Sequence, residues 1–213
     1  MWIFSSLISL LADNLIFTKA LGTSTLMAAS KNRSNLAILS LMMTLFSVLG
    51  CVLTGAAYQF LPLAELTVFP FSFFQPLLYA AVISVIYLLT LLVLYAAGGE
   101  KSRKVRKYVH LSAFNCAVMG TVHLAFPAGL FVRDAVTPAE FLGLHFYSIP
   151  RLSITGSLLF GMQTGLGFML ASLILLAVRK RLYSETVPAA FRGFPAVLVY
   201  IGLISMAVHA IAA

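Results

Sequence analysis

The sequence predicts an all-helical membrane protein with six transmembrane helices. Of its 213 residues, 61% are hydrophobic and only 9% are charged, and the mean hydropathy is +1.01. Because a soluble domain is about half apolar and about a quarter charged, this composition excludes a single soluble core. The apolar residues also form long runs, each near the ~20 residues that cross a bilayer core of ~30 Å.

The predicted spans follow one another along the chain. They cover, in order, about residues 3–29, 35–61, 73–98, 108–127, 153–178 and 194–213. The first apolar run has no basic residues before it and continues at full length, so it is predicted to be a span and not a cleavable signal peptide.

The charged residues orient these spans. The linkers after spans two and four hold Arg133 and Arg151 beside Glu65, Asp134 and Glu140. The other three linkers hold Lys31, Arg33, Lys101, Arg103, Lys104, Arg106, Lys107, Arg179, Lys180, Arg181 and Arg192. Basic linkers mark the cytoplasmic side, so both termini are predicted on the outer side. Because the basic residues flank apolar spans, the net charge of +8 indicates topology signals and not nucleic-acid binding.

The six spans divide into two sets of three with opposite orientation. The sequence therefore predicts one membrane domain whose halves, residues 1–98 and 99–213, form an inverted-topology repeat. Internal similarity is faint and is confined to Asp13-Asn-Leu-Ile-Phe17 and Phe114-Asn-Cys-Ala-Val118.

Two spans contain polar breaks, Leu21-Gly-Thr-Ser-Thr-Leu26 in the first and Leu111–Gly120 in the fourth. Broken half-helices are tolerated in lipid where protein or a cavity satisfies their backbone groups. From the helix rise, Ser24 lies ~10 Å inside the cytoplasmic edge and Cys116 lies ~13 Å inside the same edge. We therefore expect the two breaks to meet. The alternative is that the small residues of the first break only allow close helix packing.

The two cysteines have different sequence surroundings. Cys51 lies in a plain apolar run and is predicted to pack in the core, which argues against a disulfide framework. Cys116 lies beside polar residues and is a candidate metal ligand, although buried cysteines usually behave as small hydrophobic residues. A thiol needs partners, because iron–sulfur clusters typically use four thiolates. His123 lies on the same helical face and is one candidate partner.

Charged and amide side chains inside the first span are candidates for an ion path. Asp13 and Lys19 are intramembrane charges, which are costly and are functional candidates by default; snorkelling to the interface is the alternative for Asp13. Asn14 adjoins them. Asn14 and Asn115 carry amides that can form hydrogen bonds across helices or support a broken segment.

Seven segments of the sequence are distinctive when taken together. They are Asp13-Asn14, Leu21-Gly22, Ser30-Lys31, Asn115-Cys-Ala-Val-Met-Gly120, Gly165-Leu-Gly-Phe168, Arg179-Lys-Arg-Leu182 and Val187-Pro-Ala-Ala-Phe-Arg-Gly193. In these segments the chain resembles the integral-membrane subunits of the Rnf and Na⁺-translocating NADH:quinone reductase (Nqr) complexes, and most of all the Rnf A subunit with its Nqr E counterpart. The resemblance covers almost the whole chain.

The resemblance implies six spans in two inverted halves, in the cytoplasmic (inner) membrane of a bacterium or archaeon. It implies a paralogous partner subunit of opposite orientation. Each subunit of such a pair supplies two cysteines, one per half-helix break, to a shared [2Fe–2S] cluster. The cluster relays electrons between a cytoplasmic redox subunit and a flavin-bearing subunit, and electron flow is coupled to Na⁺ or H⁺ transport.

Carried onto this chain, the family's second-half cysteine matches Cys116, while its first-half cysteine falls on Ser24. Serine can bind iron as an alkoxide, but it is a harder donor and is expected to lower the potential or the occupancy of the cluster. Three explanations stay open: Ser24 is itself a ligand, a different residue replaces it, or this homologue has no cluster. The intact surroundings of Cys116 favour a retained cluster. The residues expected to support the cluster are Gly22, Thr23, Thr25, Asn115 and Ala117.

The predicted function is a translocase subunit of an Rnf-type ferredoxin:NAD oxidoreductase. The alternatives are an Nqr-type NADH:quinone reductase subunit and a homologue without a cluster that is structural or conducts ions. No catalytic residue is assigned and no stand-alone activity is expected. The chain carries no nucleotide-binding glycine motif, no zinc-spaced His/Glu cluster and no serine-nucleophile elbow.

Overall fold

The computed structural model describes residues 14–60, 75–126 and 154–212, and these parts contain helices and no strands. The all-helical class is therefore confirmed for them. The helices are α1 Leu15–Lys19, α2 Thr23–Ala29, α3 Arg33–Phe60, α4 Gln75–Ala97, α5 Gly99–Ala113, α6 Cys116–Ala125, α7 Ile154–Leu182 and α8 Phe194–Ala212. Asp13 and the predicted second and fourth linkers lie outside the described residues.

Three of the described helices are long and apolar enough to cross a membrane. Their apolar segments are Arg33–Ala57, Pro76–Ala97 and Ile154–Leu182, which correspond to the predicted second, third and fifth spans. Two shorter apolar segments, Cys116–Ala125 and Phe194–Ala210, lie in the predicted fourth and sixth spans. The chain is thus a multi-pass membrane protein. The full set of six spans in an inverted repeat stays a prediction.

Helices α3 and α7 pack closely because glycine lies at their contact. A Cβ atom built on Gly161 would lie 2.6 Å from Val48 Cα, and one on Gly165 would lie 2.7 Å from Thr44 Cα. Only glycine fits at such distances. Small residues allow this backbone approach in membranes, where packing and not hydrophobic burial drives helix association. This helix pair forms the centre against which the short helices are arranged.

The chain is interrupted at both predicted places. Between α1 and α2, Ala20 (φ 55°) and Gly22 (φ 80°) adopt left-handed backbone conformations that end one helix and begin the next. Between α5 and α6, the interruption lies at Phe114 and Asn115. Each break therefore separates two helical segments, as the polar composition of these stretches indicates.

Segment 98–107, which is predicted to be the linker between spans three and four, is helical. Helix α5 begins at Gly99 and runs through it. Its lysine and arginine residues are good helix formers, and charge alone does not end a helix. The Ser102 hydroxyl also donates to the Leu94 carbonyl, and the Arg106 guanidinium lies 4.3 Å from the centre of the Tyr95 ring. These contacts hold the basic helix against α4.

Candidate functional site

Two asparagines begin the helices beside the breaks. The Asn115 Oδ1 atom accepts a hydrogen bond from the Ala117 N–H at 2.8 Å, which makes Asn115 the N-cap of α6. The Asn14 Oδ1 atom accepts one from the Ile16 N–H at 3.0 Å and caps α1 in the same way. Asparagine is favoured at this position because it satisfies an otherwise unpaired backbone N–H. The two faintly similar segments thus share one cap geometry.

The same asparagines also connect distant parts of the chain. The Asn115 Nδ2 atom donates to Thr25 Oγ1 in the first break, and Thr25 Oγ1 donates to the Gly22 carbonyl at 2.8 Å. The Asn14 Nδ2 atom donates to the Gly167 carbonyl of α7 at 2.8 Å. The expectation that these amides form hydrogen bonds across helices is therefore confirmed.

The two breaks are in direct contact. The Gly22 N–H donates a hydrogen bond to Cys116 Sγ at 3.0 Å. A Cβ atom on Gly22 would lie 3.0 Å from Ala117 Cβ and 3.3 Å from Asn115 Oδ1, and its φ of 80° is one that side-chain-bearing residues rarely adopt. Glycine at position 22 therefore permits both the turn and the close approach. The prediction that the breaks meet is confirmed.

Cys116 and Ser24 are exposed, whereas several residues of the two breaks are buried. Cys116 is the first residue of α6 and Ser24 is the second residue of α2, and both side chains are exposed. Thr25, Asn115 and Ala117 are buried. The thiol and the hydroxyl are therefore both accessible from outside the described part of the chain. Each lies in the first turn of a helix, where free backbone N–H groups favour negative charge.

Cys116 and Ser24 form what we call the half-site, because a [2Fe–2S] cluster uses four ligands and these two side chains could supply two of them. In the parts of the chain that the structure describes, no group of three or more His, Cys, Asp and Glu side chains is placed to hold a metal ion. His123 does not join Cys116, because seven residues of helix α6 separate them by ~10 Å along the axis. Its ring instead packs edge-on against Tyr79, with 6.0 Å between the ring centres.

A protein-family model described as "Rnf-Nqr subunit, membrane protein" matches residues 3–213 of this chain. The chain belongs to the Rnf-Nqr family. The resemblance predicted from the sequence is confirmed by this match over almost the full length.

Relatives of this Rnf-Nqr chain include three proteins that are each named as the A subunit of an ion-translocating oxidoreductase complex. The protein of Azoarcus sp. (strain BH72) is 27% identical over 207 residues, 97% of this chain and 93% of that protein. The protein of Aromatoleum aromaticum is 30% identical over 197 residues, 92% and 89% of the two chains. The protein of Shewanella baltica (strain OS223) is 26% identical over 199 residues, 93% and 90%.

Two further predicted residues of this Rnf-Nqr protein, Cys51 and Lys19, are among the described residues. Cys51 is fully buried in the hydrophobic core, which confirms its predicted packing role. Lys19 is half-buried and ends α1. Sequence reasoning missed the packing role of Gly161 and Gly165, although their Gly-x-x-x-Gly spacing is a known signal of close helix packing in membranes.

Proposed function

We propose that this chain is the A-type membrane subunit of an Rnf-type ion-translocating oxidoreductase complex. In this proposal Cys116 binds a [2Fe–2S] cluster shared with a paralogous subunit of opposite orientation. The observation that carries it is the contact between the two breaks, where the Gly22 N–H reaches Cys116 Sγ and the Cys116 side chain stays exposed.

The residues at the breaks fit one half of such a cluster site. Cys116 would supply a thiolate, and the Gly22 N–H would donate to its sulfur. Hydrogen bonds to ligand sulfur and solvent exposure are among the factors that set the potential of a cluster. Asn115 and Thr25 hold the two breaks at a fixed separation. When bound, the cluster would supply one-electron transfer; the protein supplies position and dielectric.

Ser24 is the weaker donor of the half-site. It lies one residue after Thr23 in the first turn of α2, and its side chain is exposed, as is the Cys116 thiol. Its hydroxyl can bind iron as an alkoxide after losing a proton. An oxygen ligand is harder than a thiolate, so we expect a lower cluster potential than a second thiolate would give.

The exposed half-site requires other subunits. A paralogous subunit would supply the remaining ligands and cover the Cys116 face, a cytoplasmic redox subunit would deliver electrons, and a flavin-bearing subunit would accept them. The names of the relatives, which describe ion-translocating complexes, support coupling to Na⁺ or H⁺ movement. Asp13, Asn14 and Lys19 are proposed for the ion path. Asn14 would act there by holding α1 to α7 through Gly167.

Two alternatives remain distinct from this proposal. The matched family includes both Rnf and Nqr subunits; the naming of the relatives as A subunits of ion-translocating complexes favours the Rnf type. A homologue without a cluster, with a structural or ion-conducting role, is favoured by one observation, the serine at position 24.

The cluster assignment is tested by iron analysis and electron paramagnetic resonance of the purified complex. We expect Cys116→Ala to abolish the iron signal of this subunit pair, because the substitution removes the only thiol ligand at the described breaks. Cys51→Ala is the matched control and should retain the signal, since Cys51 lies buried in the core. An unchanged signal in Cys116→Ala would show that Cys116 is not a ligand, and a native complex without this iron would support the cluster-free alternative.

The role of Ser24 is tested by two substitutions in the same complex. We expect Ser24→Cys to raise the reduction potential of the cluster, because a thiolate replaces a harder oxygen donor. We expect Ser24→Ala to reduce cluster occupancy, because it removes that donor altogether. If both variants keep the native potential and iron content, Ser24 is not a ligand.

A further inference from the structure

An apolar cleft lies where α7 ends and α8 begins. Its volume is about 350 Å³, and it is lined by Leu182, Phe191, Ala196, Val199, Tyr200 and Leu203. The four residues from α8 are spaced three, four and seven apart, so they lie on one face of that helix. Leu182 ends α7, and Phe191 comes from the connection between the two helices. The cleft is thus a groove along one face of α8, with Phe191 of the connection among its lining residues.

Basic residues adjoin two lining residues of the cleft in the sequence, Arg181 before Leu182 and Arg192 after Phe191. Residues 179–193 contain Glu185 as their only acid and four basic residues. Of these, Lys180 and Arg181 precede Leu182 and have exposed side chains. Arg192 follows Phe191, and its Nη2 atom donates to the carbonyls of Glu185 and Val187, each at 3.3 Å. Its Nη1 group makes no such bond within the described residues and can donate to an anion.

The cleft extends from a charged end into an apolar region. Leu203 lies nine residues after Phe194, where α8 begins, which is ~13 Å along the helix axis. The charge distribution predicts that the basic end faces the cytoplasm. A ligand that matches both ends has an anionic head and a hydrocarbon tail. Basic pockets between transmembrane helices on the cytoplasmic side are suited to anionic lipid head groups.

We propose that this cleft binds an anionic phospholipid of the membrane. One acyl chain would lie along the Ala196–Leu203 face of α8, and the phosphate of the head group would contact Lys180, Arg181 and Arg192. The excess of positive charge at the end of an otherwise apolar groove favours this occupant over an uncharged lipid. The cleft shares no lining residue with the two breaks, and the proposal does not depend on the cluster.

The test uses the purified complex in nanodiscs that contain equal amounts of phosphatidylglycerol and phosphatidylethanolamine. The complex is then washed with detergent, and the phospholipid that remains bound to it is measured by mass spectrometry. We expect the native complex to retain phosphatidylglycerol in preference. Ala196→Trp should abolish this retention by filling the cleft. Leu198→Trp is its matched control, because Leu198 lies on another face of α8 and is exposed; it should retain the lipid.

A second variant pair tests the charged end without changing the cleft. Replacing Lys180 and Arg181 by Gln should weaken phosphatidylglycerol retention by about 5-fold per residue, the effect of one basic residue near an anionic surface. The same change at Arg103 and Lys104, which are exposed on α5, should leave retention unchanged.

Three outcomes would overturn the proposal. The first is equal retention of the two phospholipids by the native complex. The second is unchanged phosphatidylglycerol retention both in Ala196→Trp and in the variant that replaces Lys180 and Arg181. The third comes from a photoreactive amino acid at Val199: a cross-link to a protein subunit would show that a helix of a partner fills the cleft, whereas a lipid adduct supports the proposal.

Discussion

Asn115 performs two tasks with one side chain. Its oxygen caps α6 at the Ala117 N–H, and its nitrogen binds Thr25 in the other break. Both residues are buried, so neither the amide nor the hydroxyl can form a hydrogen bond with bulk water when its partner is lost. The separation between the breaks therefore depends on a hydrogen bond between residues 90 positions apart.

The Asn115–Thr25 contact is tested with a double-mutant cycle. We expect Asn115→Ala to destabilise the protein by about 1 to 2 kcal/mol, because it removes a helix cap and a buried hydrogen bond. Thr25→Val should cost about 1 kcal/mol. The double mutant should lose less than the sum, with a coupling energy of about 1 kcal/mol. Thermal unfolding of the purified complex measures this, and additive losses would contradict the direct contact.

Several residue-level features were predictable and others were not. The sequence predicted polar breaks at Gly22 and Cys116 and a bridging role for the asparagines, because backbone groups freed inside a membrane require local partners. It did not predict that the Gly22 N–H reaches Cys116 Sγ, since that pairing joins residues 94 positions apart. Hydropathy and spacing describe neighbours along a helix and carry no information about such pairs.

At the scale of elements, the contact between α3 and α7 depends on glycines whose missing side chains let two backbones approach. A Cβ on Gly161 would meet the backbone of Val48 at 2.6 and 2.8 Å. Backbone atoms cannot move aside as the end of a flexible side chain can. The helices must therefore separate if position 161 carries any side chain.

We accordingly expect Gly161→Ala to destabilise the protein by about 1 to 3 kcal/mol, the usual cost of overpacking a close contact. The measurement is the thermal midpoint of the purified complex in detergent. Gly202→Ala is the matched control, because a Cβ at position 202 of α8 meets no atom within 4 Å. It should leave the midpoint unchanged or raise it slightly, since alanine is the better helix former. A stable Gly161→Ala variant would contradict the close contact.

The boundaries of the elements were less predictable than their existence. The long apolar helices α3, α4 and α7 follow from runs of apolar residues that match the bilayer thickness. Helix α5 was not predicted, because hydropathy distinguishes apolar from charged segments but does not distinguish a charged helix from a loop. Contacts with α4, such as that of Arg106 with Tyr95, hold this charged segment in place.

At the scale of the whole molecule, tertiary contacts join basic segments that are far apart in the sequence. The Tyr108 hydroxyl donates to Asn35 Oδ1 at 2.7 Å, which holds α5 to the start of α3. The Arg179 Nη1 atom lies 3.5 Å from Ser30 Oγ, which connects the end of α7 to the end of α2. The three basic segments thus share one end of the molecule, which agrees with their assignment to one side of the membrane.

That topology is testable in whole cells. We expect a cysteine introduced at Arg103, which is exposed on α5, to be protected from a membrane-impermeant thiol reagent until the cytoplasmic side is opened. A reporter fused after Ala213 that is active only outside the cytoplasm should be active, because both termini are predicted on the outer side. Labelling of Arg103→Cys in intact cells would contradict this topology and indicate the opposite orientation. The same substitution treated after lysis serves as the control for reactivity.

The amino-acid sequence alone determined that this protein is helical, lies in a membrane and belongs to the Rnf-Nqr family. Those properties depend on composition, on runs of about 20 residues and on local motifs, all of which can be read along the chain. The tertiary structure decided which residues meet: the Cys116 thiol with the Gly22 N–H, Asn14 with Gly167, and the residues that form the cleft beside α8. These contacts depend on how separate helices pack, because close approach of backbones is set by facing side chains and not by neighbours in the sequence.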